Sequence, residues 1–222
     1  MDEAERELAQ LDGREPLGTE PTPTRVLPAH DPDAPAEVHI QLDSGSEIEI
    51  IGNAGAVEPY LEGPHSVEVH DSDGVFEVEG RLGDDGLLVI PADVDLTLAA
   101  NGGSLSLSGT HGSLDAELNV GRADIRAAFT RGQSRIDANV GKLHIGLHPD
   151  SNVRIQVTSA TSIRVSDDLV KTGRGMWTYG NGEAGLEISG NISRVVVDLD
   201  VDVKVEIEEL SVGVELTDVS AP

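Results

Sequence analysis

Clustered carboxylates are the first feature of this sequence with chemistry in them. Asp115, Glu117 and Asp137 fall close together when the chain is shifted by 20 residues. Paired carboxyl groups on one face of a β-helix are what acid and base hydrolysis of a polysaccharide would use. Arg135 falls on Asp115 in the same shift, so solvated ion pairs on adjacent turns of chain are the plainer account. Asp71, Asp73, Asp84 and Asp85 lie in two glycine-containing turns and offer oxygen ligands to a hard cation. Gly74 follows Asp73 at once and no acid closes the loop, so the spacing of a calcium loop is missing and solvated turns are expected. Among the seven histidines only His144 and His148 have same-face spacing, and Pro149 follows directly. A metal would need a third ligand fixed by outer contacts, so these read as scattered surface histidines and no metal is expected.

Gly180-x-Gly182-x-x-Gly185 has the glycine spacing of a dinucleotide loop. That loop works only between a strand and a helix whose N-terminus faces the pyrophosphate. Here the strand residues Leu186 and Ile188 follow, so a turn is expected and no cofactor. No nucleophile elbow or phosphate-cradling loop is present. Trp177 and Tyr179 stand beside Arg174 in a long interruption from Asp167 to Gly182. Rings with a polar edge favour interfaces, which makes Arg174, Trp177 and Tyr179 the candidate interaction surface. The other account of these rings is a loop that folds over an open edge and shields its apolar end.

Composition narrows the partners. The 222 residues include 41 acidic and 15 basic ones, a net charge of -26, so phosphate-rich nucleic acid and anionic membranes are repelled. Five aromatics (Tyr60, Phe76, Phe129, Trp177, Tyr179) are too few for a base-stacking platform. The absence of cysteine excludes disulfides, thiolate zinc sites and cysteine nucleophiles. No run approaches the roughly 20 apolar residues of a membrane span. The start, MDEAERELAQ, lacks a basic region followed by an apolar run, so a soluble cytoplasmic protein is expected. The dispersed acidity, with only Lys142, Lys171 and Lys204 as lysines, suits either a high-salt surface or an ordinary acidic protein.

The elements that must position these residues are strands. Residues 1–35 form a Pro-rich acidic arm expected to be disordered, with a short helical stretch from Asp2 to Leu11. From Glu37 onward apolar and polar residues alternate, as in Val38/Ile40, Ile48/Ile50, Val94/Leu96/Leu98, Leu105/Leu107 and Val153/Ile155/Val157. Asp73-Gly74 between Val67-Glu68-Val69 and Phe76-Glu77-Val78 reads as a tight hairpin. The body is all-β.

A shift of 20 residues superposes Leu96, Ala116 and Ile136, then Leu98, Leu118 and Ala138, then Ala100, Val120 and Val140. Leu105 falls on Ile125 and Ile145, and Leu107 on Ala127 and Leu147. Asn119 and Asn139 open a repeated Asn-Val-Gly, and a looser fourth copy runs through Ile163 and Val165. Two alternating runs and two glycine breaks per period predict a single-domain β-solenoid (β-helix) over 36–200, with coils of about 20 residues stacked in parallel. Trading large for small residues between coils, as at Ala123 and Leu143, fits a close-packed interior. Val195-Val196-Val197 and Val201/Val203/Val205/Ile207 predict a last coil or cap, with a tail filling 201–222.

Gly102-Gly103-Ser104-Leu105-Ser106-Leu107-Ser108-Gly109, Gly132-Gln133-Ser134-Arg135-Ile136, Gly141-Lys142-Leu143-His144-Ile145 and the stretch from Gly180 through Ser189-Gly190-Asn191-Ile192 resemble the putative-adhesin, DUF4097-type β-solenoid family. The resemblance spans roughly residues 37–200 and implies a binding role with no catalytic residues. The chain departs from that family in having few Ser-Gly-Asp triplets and a very acidic surface. The expected function is a non-enzymatic interaction or scaffold protein that binds a protein partner or itself. Two alternatives stand beside it: a polymer-forming cytoskeletal solenoid of the bactofilin type, and a carbohydrate-active β-helix enzyme.

Overall fold

A computed structural model describes residues 36–43, 47–72, 75–83 and 86–200. The arm expected over 1–35 and the terminal strand, cap and tail expected over 201–222 lie outside these residues, as do Asp73, Gly74, Asp84 and Asp85. The strands are β1 (Ala36–Asp43), β2 (Glu47–Asn53), β3 (Tyr60–Glu62), β4 (His65–Ser72), β5 (Val75–Leu82), β6 (Leu87–Pro91) and β7 (Val94–Thr110). They continue with β8 (Leu114–Ala127), β9 (Gln133–Leu147), β10 (Val153–Val157), β11 (Ser162–Val165), β12 (Val170–Gly173), β13 (Met176–Tyr179) and β14 (Ala184–Leu199). Among the described residues every regular element is a strand, and the fourteen belong to one large, open, mixed sheet.

The long strands bend because their alternation changes phase. In β8 the buried residues are Leu114, Ala116, Leu118 and Val120, and then Ala123, Ile125 and Ala127. A straight strand keeps a period of two. The jump at Gly121-Arg122 therefore turns two successive residues outward and swings the second half of the strand onto the same core as the first. β9 changes phase at Gly141-Lys142, where Val140 and Leu143 are both buried, and β7 does so between Ala100 and Leu105. Each long strand thus has two limbs facing a single hydrophobic core.

Parallel pairing runs through both limbs. Along the first, the order is β13, β10, β14, β9, β8, β7, β1, β5, β4; along the second it is β11, β14, β9, β8, β7, β2, β6, β3. At both ends the order in space departs from the order in sequence by one place. β5 and β6 lie outside β1 and β2, and β14 inserts between β9 and the pair β10 and β11. Antiparallel strands then cover the outer positions: β4 on β5, β3 on β6, and β13 on β10. Ser72 lies opposite Val75, which is the hairpin expected around Asp73-Gly74.

Side-chain hydroxyls satisfy buried backbone groups at the turns. Ser134 Oγ accepts the Leu114 N–H at 3.0 Å, and Ser151 Oγ accepts the Phe129 N–H at 3.2 Å. Both serines are buried, where an unpaired amide would be costly. Gly190, at φ 113°, sits where a Cβ would collide with the Ala138 carbonyl oxygen. Glycine alone fits that backbone and that approach.

Three expectations need correction. The 20-residue register holds between β8 and β9, where Ala116 faces Ile136, Leu118 faces Ala138 and Ala123 faces Leu143. Between β7 and β8 the offset is 18, so Leu98 faces Ala116 and Ala100 faces Leu118. A slip of two preserves the inward parity, and Leu98 and Leu118 are both buried as expected. The fourth copy in space is β14 rather than the segment at Ile163 and Val165, which pairs outside it on Val195 and Val197. For the same reason Val195-Val196-Val197 belongs to an interior strand, flanked on both sides, and not to a last coil. Among the described residues no helix is long and apolar enough to cross a membrane.

Leu118 is 1 % exposed in the centre of the stack. Leu118→Asp would bury an unpaired charge there and is expected to lower stability by at least about 3 kcal/mol. A thermal melt unchanged from the parent would contradict the inward face assigned to β8.

Candidate functional site

The outward columns of the first limb form an acidic concave surface. Strand pairing sets Glu77, His39, Thr97 and Asp115 side by side on successive strands, and Glu79, Gln41, Ala99, Glu117 and Asp137 beside them. One groove of about 340 Å³ lies over His39, Glu77, Thr97 and Asp115, and a second of about 540 Å³ runs along Glu117, Asp137 and Asn101. Gln41, Ala99 and Glu117 are shared by the two grooves. The carboxylates Asp115, Glu117 and Asp137 are therefore brought together, with Asp115 opposite Arg135 and Glu117 opposite Asp137. Arg135 also pairs with Asp137 at 3.5 Å, with both side chains more than half exposed. Such a pair contributes little to stability.

Asparagines occupy the next column. Asn101, Asn119, Asn139 and Asn191 stand in register, and the Asn139 amide donates to Asn119 Oδ1 at 3.2 Å while the Asn191 amide donates to Asn139 Oδ1 at 3.4 Å. The repeated Asn-Val-Gly thus marks the place where each strand bends.

A second polar cluster lies on the outward side of the second limb. His144 on β9 sits between two carboxylates: Nδ1 is 3.1 Å from Asp124 Oδ2 and Nε2 is 2.8 Å from Asp198 Oδ1. Arg126 Nε donates to Asp124 Oδ1 at 3.1 Å and its Nη1 lies 3.8 Å from Asp200 Oδ1. His144 and Asp124 are only 19 % and 17 % exposed, whereas Asp198 and Arg126 at the edge of the cluster are about half exposed. Burial works to raise the Asp124 pKa, but the hydrogen bonds and charges of His144 and Arg126 outweigh it and hold the carboxyl below its ordinary value. Asp95 is also lowered: the Ser113 backbone N–H (2.9 Å) outweighs desolvation, aided by the Ser113 hydroxyl (2.7 Å) and the charge of Arg131. Ser106 faces Asp124, so the one hydroxyl in that column meets a carboxylate and not the imidazole.

The other anticipated residues fall elsewhere. His148 is 6.0 Å from His111, ring to ring, and pairs with Asp150, so it is not joined to His144. The expectation of scattered histidines fails for His144, because β14 carries Asp198 onto it. Among the described residues no group of three His, Asp or Glu side chains has the arrangement of a metal site. β13 ends at Tyr179 and β14 begins at Ala184, so Gly180 and Gly182, at φ 66° and 69°, join two strands. Trp177 faces Ile155 and Tyr179 faces Val153 across β10, and both rings pack against the core. Lys171 Nζ lies 5.9 Å from the Trp177 ring centroid, and the Tyr179 hydroxyl donates to Pro149 O at 3.3 Å. Arg174 is exposed in the turn between β12 and β13.

No family model matches the chain, and no curated protein does. Among solved structures the chain is similar to a putative cell adhesion protein from Clostridium sporogenes ATCC 15579, with 11% sequence identity and a TM-score of 0.51. The similarity covers 78% of this chain and 96% of that one. At such low identity it is a likeness of fold.

His144→Ala would leave Asp124 and Asp198 without their shared partner. The Asp124 carboxyl, followed by NMR titration, is expected to move up toward the ordinary aspartate value of about 3.9. The stability lost should be full above that pH and shrink as pH falls through the lowered folded pKa, because a depressed carboxyl stabilises only while ionised. Equal losses at pH 6 and pH 2.5 would contradict the charge-based role of the cluster.

Proposed function

We propose that the chain is a non-enzymatic interaction or scaffold protein of the putative-adhesin type, built as a β-solenoid. Its rungs are β5 with β6, β1 with β2, β7, β8, β9, β14, and β10 with β11. The observation that carries the reading is the phase change in each long strand. Two limbs share one apolar core, and two long outward faces are left to meet a partner. The likeness of fold to a putative cell adhesion protein supports a binding role. The non-enzymatic part draws on the clusters themselves: Asp115 stands opposite an arginine, and both nitrogens of His144 are engaged by carboxylates. The partner is a protein or a second copy of the chain rather than nucleic acid, given the net charge of -26. Arg174, with Trp177 and Tyr179 behind it, is the surface at the β13 end.

One observation favours the alternative of an end-to-end polymer. Among the described residues β11 has a strand partner only in β14, and Ile163 on it is exposed. Such an open edge can accept another strand. The remaining outer positions count against polymerisation, since antiparallel strands cover β5, β6 and β10. Sedimentation at several salt concentrations separates the two. A discrete small species is expected, and length-distributed filaments would overturn the scaffold reading in favour of the polymer.

A further inference from the structure

The parallel ladder has four corners, one for each limb at each end of the stack. Three carry an antiparallel strand: β4 on β5, β3 on β6, and β13 on β10. The fourth is β11, whose strand partner among the described residues is β14 alone. The core of the second limb runs out there. Ile163 continues the inward column of Val195, Leu143 and Ala123, and Val165 continues that of Val197, Ile145 and Ile125. Each of those six neighbours is at most 1 % exposed, yet Ile163 is 38 % exposed. At the same end of the first limb, Trp177 and Tyr179 on β13 stand over Ile155 and Val153 and pack against the core.

The last described residues lie beside this gap. Val197 pairs with Val165, the Ser166 N–H donates to Val197 O at 2.8 Å, and the strand runs on to Leu199 with Asp200 after it. The sequence continues Val201-Asp202-Val203-Lys204-Val205-Glu206-Ile207-Glu208-Glu209, in which apolar and polar residues alternate up to Glu208. To come back along the outer side of β11, the chain after Asp200 must cross two strand spacings, about 9.6 Å, and retrace about 10 Å, a span of roughly 14 Å. Length, burial and charge then select one antiparallel register. Val203 opposite Val165 leaves three residue steps, at most about 11 Å, and sets Lys204 against Arg164. Ile207 opposite Val165 turns Glu209 inward onto Ile163, where a carboxylate would be buried. Val205 opposite Val165 leaves five steps, up to about 17 Å, lays Ile207 on Ile163 and brings Glu206 to Arg164.

We infer that residues 205–208 of this same chain add an antiparallel strand to the free edge of β11, with Val205 and Ile207 covering Val165 and Ile163 and Glu206 facing Arg164. The added strand supplies partners for the backbone groups on the open side of β11 and closes the second limb as β13 closes the first. Arg164 is exposed, and an opposite charge directly across a strand pair is favourable. The inference goes beyond the scaffold reading and does not depend on it. It also removes the opening for end-to-end growth, because the edge that would receive another copy is occupied by the chain itself.

The sequence has no cysteine, so an introduced pair reads the register directly. In the full chain, Arg164→Cys with Glu206→Cys is expected to close an intrachain disulfide under mild oxidation, since directly opposed residues lie about 4.5–5.5 Å apart, within disulfide reach. Arg164→Cys with Lys204→Cys, and Arg164→Cys with Asp218→Cys, should close at least about tenfold more slowly, because neither pair is opposed in this register. A second readout keeps Arg164 and Glu206 native. Ile207→Asp should speed hydrogen exchange of the amides of residues 162–165 by about fivefold or more, whereas Val219→Asp should leave it within about twofold of the parent. A disulfide joining two chains would assign the edge to a second copy. That result, equal closure rates for the three pairs, or exchange unmoved by Ile207→Asp would overturn the inference, while the scaffold reading would still stand or fall by sedimentation.

Discussion

The in-register parallel ladder that joins β1, β7, β8, β9 and β14 is the constraint on which the rest of this structure depends. Adjacent strands lie about 4.8 Å apart, and a parallel pair places like positions side by side along its whole length. Inward positions must then share volume between strands. Leu118 beside Ala138 and Ala123 beside Leu143 do so, with the larger residue alternating from one strand to the next. Outward positions must share chemistry in the same way, since a side chain repeated at one place in the sequence repeats becomes its own neighbour. The asparagine column profits from this through amide hydrogen bonds, while charged columns are penalised.

A stack of this kind leaves open edges at both ends, and the chain handles both by the same device. At each end an antiparallel strand lies on the outer face, β4 on β5 and β13 on β10, and at the far end the chain also returns through β14 to fill the place left between β9 and β10. β12 at the far edge is only four residues long, carries Lys171, and changes register before Gly173. Short strands, lysines and irregularities all discourage pairing with another chain. The covering strands also explain why the two large rings at that end, Trp177 and Tyr179, are half-buried against the core.

Much of this was legible in the amino acids, and its boundaries have physical causes. Alternation identified the strands and the inward set, because burial of one face demands it. The 20-residue shift found β8 against β9 correctly. It missed the 18-residue offset of β7 because a slip of two leaves every apolar residue facing inward. The asparagines carry the missing signal: Asn101 and Asn119 are themselves in register, and aligning on them rather than on leucine and valine gives the observed pairing. The insertion of β14 could not be read in this way, since β10 to β13 intervene and Val195 to Val197 look like a continuation of any apolar strand. Half of the His144 cluster follows from the 20-residue shift, which places Asp124 on His144. The other half, Asp198, arrives 54 residues later by way of that insertion.

Because the ladder fixes which side chains meet, departures from neutrality on its outward columns are informative. The first limb carries carboxylates spaced by neutral groups, with Thr97 between His39 and Asp115, and Ala99 between Gln41 and Glu117. That interleaving lets an acidic protein crowd charge onto one face without setting many like charges directly opposite. On the second limb the same logic sets His144 between Asp124 and Asp198, with a carboxylate at each ring nitrogen. Glu117 opposite Asp137 on the first limb, and Arg122, Lys142 and Arg194 at the bend, depart from that interleaving. At the bend part of the cost of aligned cations is met within the stack, since Arg122 has Asp124 at 3.5 Å.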